Sequence, residues 1–186
     1  FTNTLHVELT DRLCEAALRT IIANVPRVLE EPAGYDARAE IMWTGTVAHN
    51  DLLGTGREGD WGSHSIEHEI SAIYDVAHGA GLAVVFPAWM RHVYRHDVPR
   101  FAQFAHRVWD VEMDFRNPER TALEGIDRLE AFFRSIGLPV RLSDMKITGE
   151  RIQEMADKCT SKSRGFTGNF VRLDAKAVRE ILTSAL

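Results

Sequence analysis

Cysteine is scarce in this chain: Cys14 and Cys159 lie far apart and form no CxxC pair. A disulfide-stapled scaffold and a vicinal dithiol are thereby excluded, and two reduced thiols in a cytoplasmic protein are expected. Positive charge is also in deficit, with 22 Lys and Arg against 27 Asp and Glu for a formal net charge of −5. No dense basic stripe occurs, so nucleic acid is not an expected partner. Long apolar runs are missing. The longest, residues 80–90, is about half a membrane span and contains Pro87, so it reads as a buried helix and no membrane association is expected. Alternating polar and apolar residues of the kind that build strands are absent over any useful length. The opening Phe1-Thr-Asn-Thr has neither an initiator methionine nor the basic start and cleavage pattern of a signal peptide. It predicts a processed chain or the C-terminal part of a longer protein.

What remains is helical. At 186 residues and 45% hydrophobic composition, the chain fits one domain, or one large and one vestigial, and needs no staple to keep a core. Leu9, Leu13, Ala16, Ala17 and Ile21 follow helical spacing, with Pro26 punctuating the end. Asp36 is placed to cap a helix through Ala39, Met42, Trp43, Val47 and Leu53 that ends at Gly54. A histidine-rich helix follows, then the apolar run to about His96. Pro99 opens a helix with Phe101, Phe104, Ala105 and Val108 on one side. Asn117-Pro118-Glu119 starts another, closed by Gly137-Leu-Pro139. A short helix is expected from Gly149 to about Lys158, then a flexible loop over residues 161–168, then a last helix capped by Asp174. The fold class expected is an all-α bundle.

The chemistry concentrates in Trp61-Gly-Ser-His64-Ser-Ile-Glu67-His68, with His78 ten residues further on, before Gly79. A helix starting near Ser65 puts His64 and His68 on one face, one turn apart. Gly79 would end that helix, leaving His78 at its exit. A lone histidine is usually a packed or surface residue. Three at these spacings, beside Asp60 and Glu67, favour a metal or catalytic site, because neutral imidazole suits zinc, iron and copper. Glu67 and Glu69 read most simply as a solvated face, with a carboxylate orienting an imidazole as the functional alternative.

Other signals are weaker. His64-Ser-Ile-Glu67-His68 also fits H-x-x-E-H, an inverted zinc-protease pattern, for which Glu124 or Glu130 would have to supply a third ligand. Gly54-Thr-Gly56-Arg-Glu-Gly59 matches G-x-G-x-x-G but follows a helix, so Gly54 reads as a helix end and the rest as a loop. His92 and His96 read as an exposed polar face. Trp43, Trp61, Trp89 and Trp109 read as mostly core.

Tyr35-Asp-Ala-Arg38-Ala-Glu-Ile-Met42-Trp43, Asp60-Trp61-x-x-His64-x-x-x-His68-Glu69, His78-Gly79, Phe86-Pro87-x-Trp89-Met90 and Gly137-Leu-Pro139-x-Arg141-Leu-x-Asp144 resemble the iron-containing (group III) alcohol dehydrogenases. The likeness is strongest to their NADPH-dependent butanol dehydrogenase and broad-range aldehyde reductase branch, and it runs over nearly the whole chain. It implies the helical C-terminal domain of an enzyme whose N-terminal α/β domain binds NADP(H) and is absent here. In that family one Fe2+ or Zn2+ is held by an aspartate and three histidines. By motif position His64 and His78 would be two of the metal ligands, and His68 the catalytic residue near nicotinamide and substrate. The implied reaction is hydride transfer between the cofactor and an aldehyde or alcohol. In the family the other two ligands belong to a D-x-x-x-H pattern on the helix before the point where this chain starts. The D-x-x-x-H that this sequence contains, Asp60-Trp-Gly-Ser-His64, already carries His64 and is not that pattern. The expectation is therefore a chain inactive by itself, whose partner is its missing N-terminal half, within a possible homodimer. A helical association module without catalysis is the alternative from a different class.

Overall fold

The computed structural model describes residues 4–161 and 165–186. Among these residues the architecture is all-α: eight α-helices, short 3-10 turns, one isolated bridge between Thr167 and Leu173, and no strand. No described helix is long and apolar enough to cross a membrane. Both cysteines are free thiols. Two compact units form, one from residues 1–59 and 99–125, the other from 60–98 and 126–186.

In the first unit α1 (Glu8–Glu30) packs on α2 (Tyr35–His49). The expected stop at Pro26 is not a stop, for α1 continues to Glu30. A proline inside a helix forfeits one backbone bond and crowds the carbonyl a turn back. Side chains tie the neighbouring turns together: Asn24 donates to the Thr20 carbonyl at 2.9 Å, and Arg27 donates to Asn24 Oδ1 at 3.0 Å. Nor does Asp36 cap α2. Gly34 holds the cap position and Asp36 sits in the first turn, where its charge still suits the helix dipole. α2 ends at His49 and not at Gly54, because Asp51 adopts a left-handed conformation (φ 64°) and starts a separate 3-10 turn, Leu52–Gly54. The glycine-rich stretch thus follows helical backbone, as a loop.

α5 (Val98–Trp109) brings Phe101, Phe104, Ala105 and Val108 inward as the spacing predicts. It also delivers Arg100 to a buried polar cluster. Arg100 and Arg57, both nearly inaccessible, ion-pair with Asp11, and Gln103 donates to Asp11 at 3.2 Å and to Glu15 at 2.9 Å. Burial alone would push the Asp11 carboxyl up. Hydrogen bonds from Arg100, Gln103 and Arg57 outweigh it and hold the group at about 2.

The second unit contains α3 (Gly62–Tyr74), α4 (His78–Val93), α7 (Ile152–Ser161) and α8 (Ala175–Ser184), with the later turns of α6 (Pro118–Ser135). Pro118 is the first helical residue of α6, and Gly137 beyond its end takes φ 80°, as the proline and glycine signals predict. Ile66, Ile70, Val84, Val85, Leu182 and Met155 have almost no exposure and form the core where α3, α4, α7 and α8 meet. Trp89 is buried with them, as expected. Glu130, also buried, is paired with Arg91 at 2.9 Å and with Arg134 and Arg141 at 3.1 Å each. Burial raises its carboxyl, and Arg141 and Arg91 bring it below the ordinary range. Asp60 Oδ1 accepts from the Asn169 amide at 2.6 Å and the Phe170 amide at 3.3 Å. It thereby ties the loop around the Thr167 bridge to the residues that open α3. The expected flexible loop 161–168 includes residues 162–164, which lie outside the described residues.

Candidate metal centre

The site is built by the junction of α3 and α4, which differs from the one expected. α3 starts at Gly62, three residues earlier than Ser65, and stops at Tyr74. Asp75, in the left-handed conformation at φ 51°, donates its backbone N–H to Ser71 O at 3.0 Å and ends the helix. Asparagine and aspartate take that conformation more readily than other non-glycine residues. Gly79 therefore ends nothing. His78 is the first residue of α4, so it faces the site from a second helix and not from the exit of the first.

The three predicted histidines do come together. The ring centre of His78 lies 5.5 Å from that of His64 and 5.3 Å from that of His68, and His64 and His68 are 6.4 Å apart. Two imidazoles on one tetrahedral ion, with metal–nitrogen bonds of about 2.1 Å, have ring centres roughly 5 Å apart. His78 stands near that separation from each of the other two rings, whereas the His64 and His68 rings lie farther apart than one ion brings them. Trp61 meets the edge of His64 at 5.0 Å and Phe86 at 5.9 Å, so aromatic surface walls the most buried of the three imidazoles. His68 is exposed and His78 half-exposed, which leaves the space between the rings open on one side.

The surroundings of His64 favour its neutral form. Its Nδ1 is buried without a hydrogen-bond partner among the described residues. Burial lowers its pKa, and the neighbouring His78 and His68 lower it further against the opposing pull of Glu67 and Asp60. The imidazole is held neutral, the form that binds a metal.

Glu67 and Glu69 do not form a solvated face: they are 0% and 3% exposed. Glu67 lies one helical turn from His64 and from Ser71 and points at α4. Its Oε2 accepts from His78 Nδ1, and its Oε1 accepts from the Ser71 hydroxyl. The donor atoms of Glu67, His68 and His78 lie within 4.8 Å of one another. By distance alone these three would be a ligand set, with His64 left out. Both Glu67 oxygens are already engaged, however: a cation at Oε2 would displace the bond to His78, and one at Oε1 would compete with the Ser71 hydroxyl. The His64–His78 pair, with ring centres 5.5 Å apart, makes no demand on those oxygens. Ser71 and Gly81 were not singled out from sequence. Their positions, four after Glu67 and three after His78, are the helical spacing that could have found them.

Of the remaining residues, Trp61 is 63% exposed beside the site, Trp43 is 66% exposed and Trp109 is half-buried, so only Trp89 of the four tryptophans is core. His92 and His96 are exposed as expected.

The model of the "Fe-containing alcohol dehydrogenase family, C-terminal" matches residues 1–186. The chain belongs to the iron-containing alcohol dehydrogenase family. The probable NADH-dependent butanol dehydrogenase 1 of Bacillus subtilis (strain 168) is 44% identical over 176 residues, which cover 95% of this chain and 45% of that protein. The NADPH-dependent aldehyde reductase YqhD of Escherichia coli (strain K12) is 34% identical over 161 residues, covering 84% of this chain and 40% of the reductase. The crystal structure of NADH-dependent butanol dehydrogenase A from Thermotoga maritima matches with a TM-score of 0.89 at 37% identity, over 96% of this chain and 46% of that one. The chain spans about half the length of the curated relatives it matches.

Membership of the iron-containing alcohol dehydrogenases displaces the zinc-protease reading of His64-x-x-Glu67-His68. A glutamate general base has to reach a water, and Glu67 is fully buried and bonded to His78 and Ser71. Glu130, nominated with Glu124 as that protease's third ligand, is ion-paired with three arginines.

Proposed function

We propose that this chain is the metal-binding helical part of an NAD(P)H-dependent alcohol dehydrogenase or aldehyde reductase, with Fe2+ or Zn2+ held by His64 and His78. The observation that carries the reading is the approach of His64 and His78 from two helices, in a member of this family, with ring centres 5.5 Å apart, a separation one tetrahedral ion can span. When bound, the ion would polarise the substrate oxygen as a Lewis acid, and the nicotinamide would carry the hydride. His64 supplies a neutral nitrogen from a half-buried position, and His78 supplies one from the start of α4. His68, exposed beside His78, is the residue placed to meet the substrate and to deliver a proton to the carbonyl oxygen as the aldehyde becomes an alcohol. Trp61 and Phe86 shield His64 from water.

NADH is named for the butanol dehydrogenase relatives and NADPH for the E. coli reductase, and nicotinamide is the element they share. The reading includes an N-terminal half that binds this cofactor and supplies the remaining ligands, and a homodimer as the assembly. Intact protein should oxidise NADH or NADPH in the presence of butanal. Chelation should abolish that activity, and Fe2+ or Zn2+ should restore it. Turnover that survives complete metal removal would contradict the proposal.

A further inference from the structure

We propose that Glu67 is a positioning residue that sets the tautomer of His78, and that Gly81 exists to admit it. The inference rests on the reading of His78 as a metal ligand and extends it to residues that touch no substrate. Glu67 is fully buried, and an unpaired carboxylate there would be costly. Its Oε2 faces His78 Nδ1. A carboxylate only accepts, so Nδ1 carries the hydrogen and Nε2 keeps its lone pair. That free nitrogen is the one the ring can present to a cation, and a carboxylate behind a histidine also makes it a better donor. The Ser71 hydroxyl fixes the other oxygen. It stands near both Glu67 Oε1 and the Val76 carbonyl, the latter at 3.2 Å, so it links the carboxylate to the backbone of the turn between α3 and α4.

Gly81 completes the device. A Cβ at this position would lie 2.4 Å from Glu67 Oε1, 2.8 Å from its Cγ and 3.0 Å from its Cδ. Three atoms of one buried side chain cannot all retreat without carrying the carboxylate off His78. No larger residue at 81 is compatible with the observed bond. The same spacing makes α4 supply both His78 and the room for its partner, three residues on.

The test uses the intact protein and two readouts. Nitrogen-15 spectra of the imidazole rings in metal-free protein, at a pH where His78 is neutral, should show the Nδ1–H tautomer for His78. In Glu67→Ala the ring should revert to the Nε2–H form that predominates for free imidazole. Zinc affinity should fall about 10- to 100-fold in Glu67→Ala. In Glu67→Gln, whose amide oxygen can still accept from Nδ1, it should fall much less. Gly81→Ala should reproduce the Glu67→Ala loss while every proposed ligand stays in place. The double variant Glu67→Ala/Gly81→Ala should be no worse in affinity than Glu67→Ala alone, and it should fold more stably than Gly81→Ala, because the colliding side chain is gone.

An Nε2–H tautomer in the wild-type protein would overturn the inference, as would zinc affinity within twofold of wild type in Glu67→Ala. Loss in Glu67→Ala as complete as in His78→Ala, with no rescue by glutamine, would make Glu67 itself a ligand and overturn it in the other direction. The correct tautomer in a protein whose zinc affinity ignores His64→Ala and His78→Ala would leave the Glu67–His78 pair standing and defeat the proposed function instead.

Discussion

Asp11 binds Arg57 and Arg100 where neither cation reaches water, so its charge is what makes their burial tolerable. Asp11→Asn should cost about 3–5 kcal/mol, because removing one partner strands the others. The pH dependence has a defined sign. The carboxyl sits at about 2 in the folded protein against an ordinary 3.8. Its contribution, about 2 kcal/mol, is present above pH ~4 and lost as the pH falls from there through about 2. Urea unfolding measured from pH 7 to pH 2 should show a steeper acid loss for wild type than for Asp11→Asn. Equal slopes would show that the ion pairs have no such role. At the candidate site the same scale of reasoning applies differently. His64 is kept neutral by its surroundings, whereas His78 is defined by one partner, Glu67. Neither property was legible in sequence, because the burial of Glu67 depends on the absence of a side chain at Gly81, on another helix.

At the scale of elements, Asp174 caps α8 as its sequence position predicts, accepting from the Ala177 amide at 2.8 Å. Asp174→Ala should cost about 1 kcal/mol and Asp174→Asn almost nothing, since asparagine caps as well. Thermal or urea unfolding distinguishes the two, and equal losses would mean that the charge and not the cap matters. Helices whose ends carry strong local punctuation were legible: Pro118 and Gly137 bracket α6, and Asp174 opens α8. The α3–α4 junction was not, because a glycine after a periodic stretch can follow one helix or begin the next. Here Asp75 absorbed the left-handed turn first, and His78-Gly79 became a beginning. Burial was also misread on α2. Its apolar residues go round the helix, and Trp43, expected in the core, is exposed because packing against α1 settles which side faces inward. The histidine site survived these errors. An i, i+4 pair remains on one face wherever the helix ends are drawn, and a short α3–α4 connection returns His78 to it.

At the scale of the whole molecule, the chain spans about half the length of its curated relatives, and it offers two of the four ligands that the proposed centre needs. The 186-residue chain by itself should therefore bind zinc more than about 100-fold more weakly than the intact protein and reduce no aldehyde with NADH or NADPH. Robust reduction by the isolated chain would refute that division of labour. The most direct test of the central claim is the metal content of intact protein after purification, compared among wild type, His64→Ala, His78→Ala and His68→Ala. Wild type and His68→Ala should each retain about one equivalent of iron or zinc per chain, with turnover impaired in His68→Ala, and the other two variants should retain almost none. Equal metal in all four proteins, or a loss in His68→Ala as complete as in His64→Ala, would contradict the assignment of ligands and of the catalytic histidine.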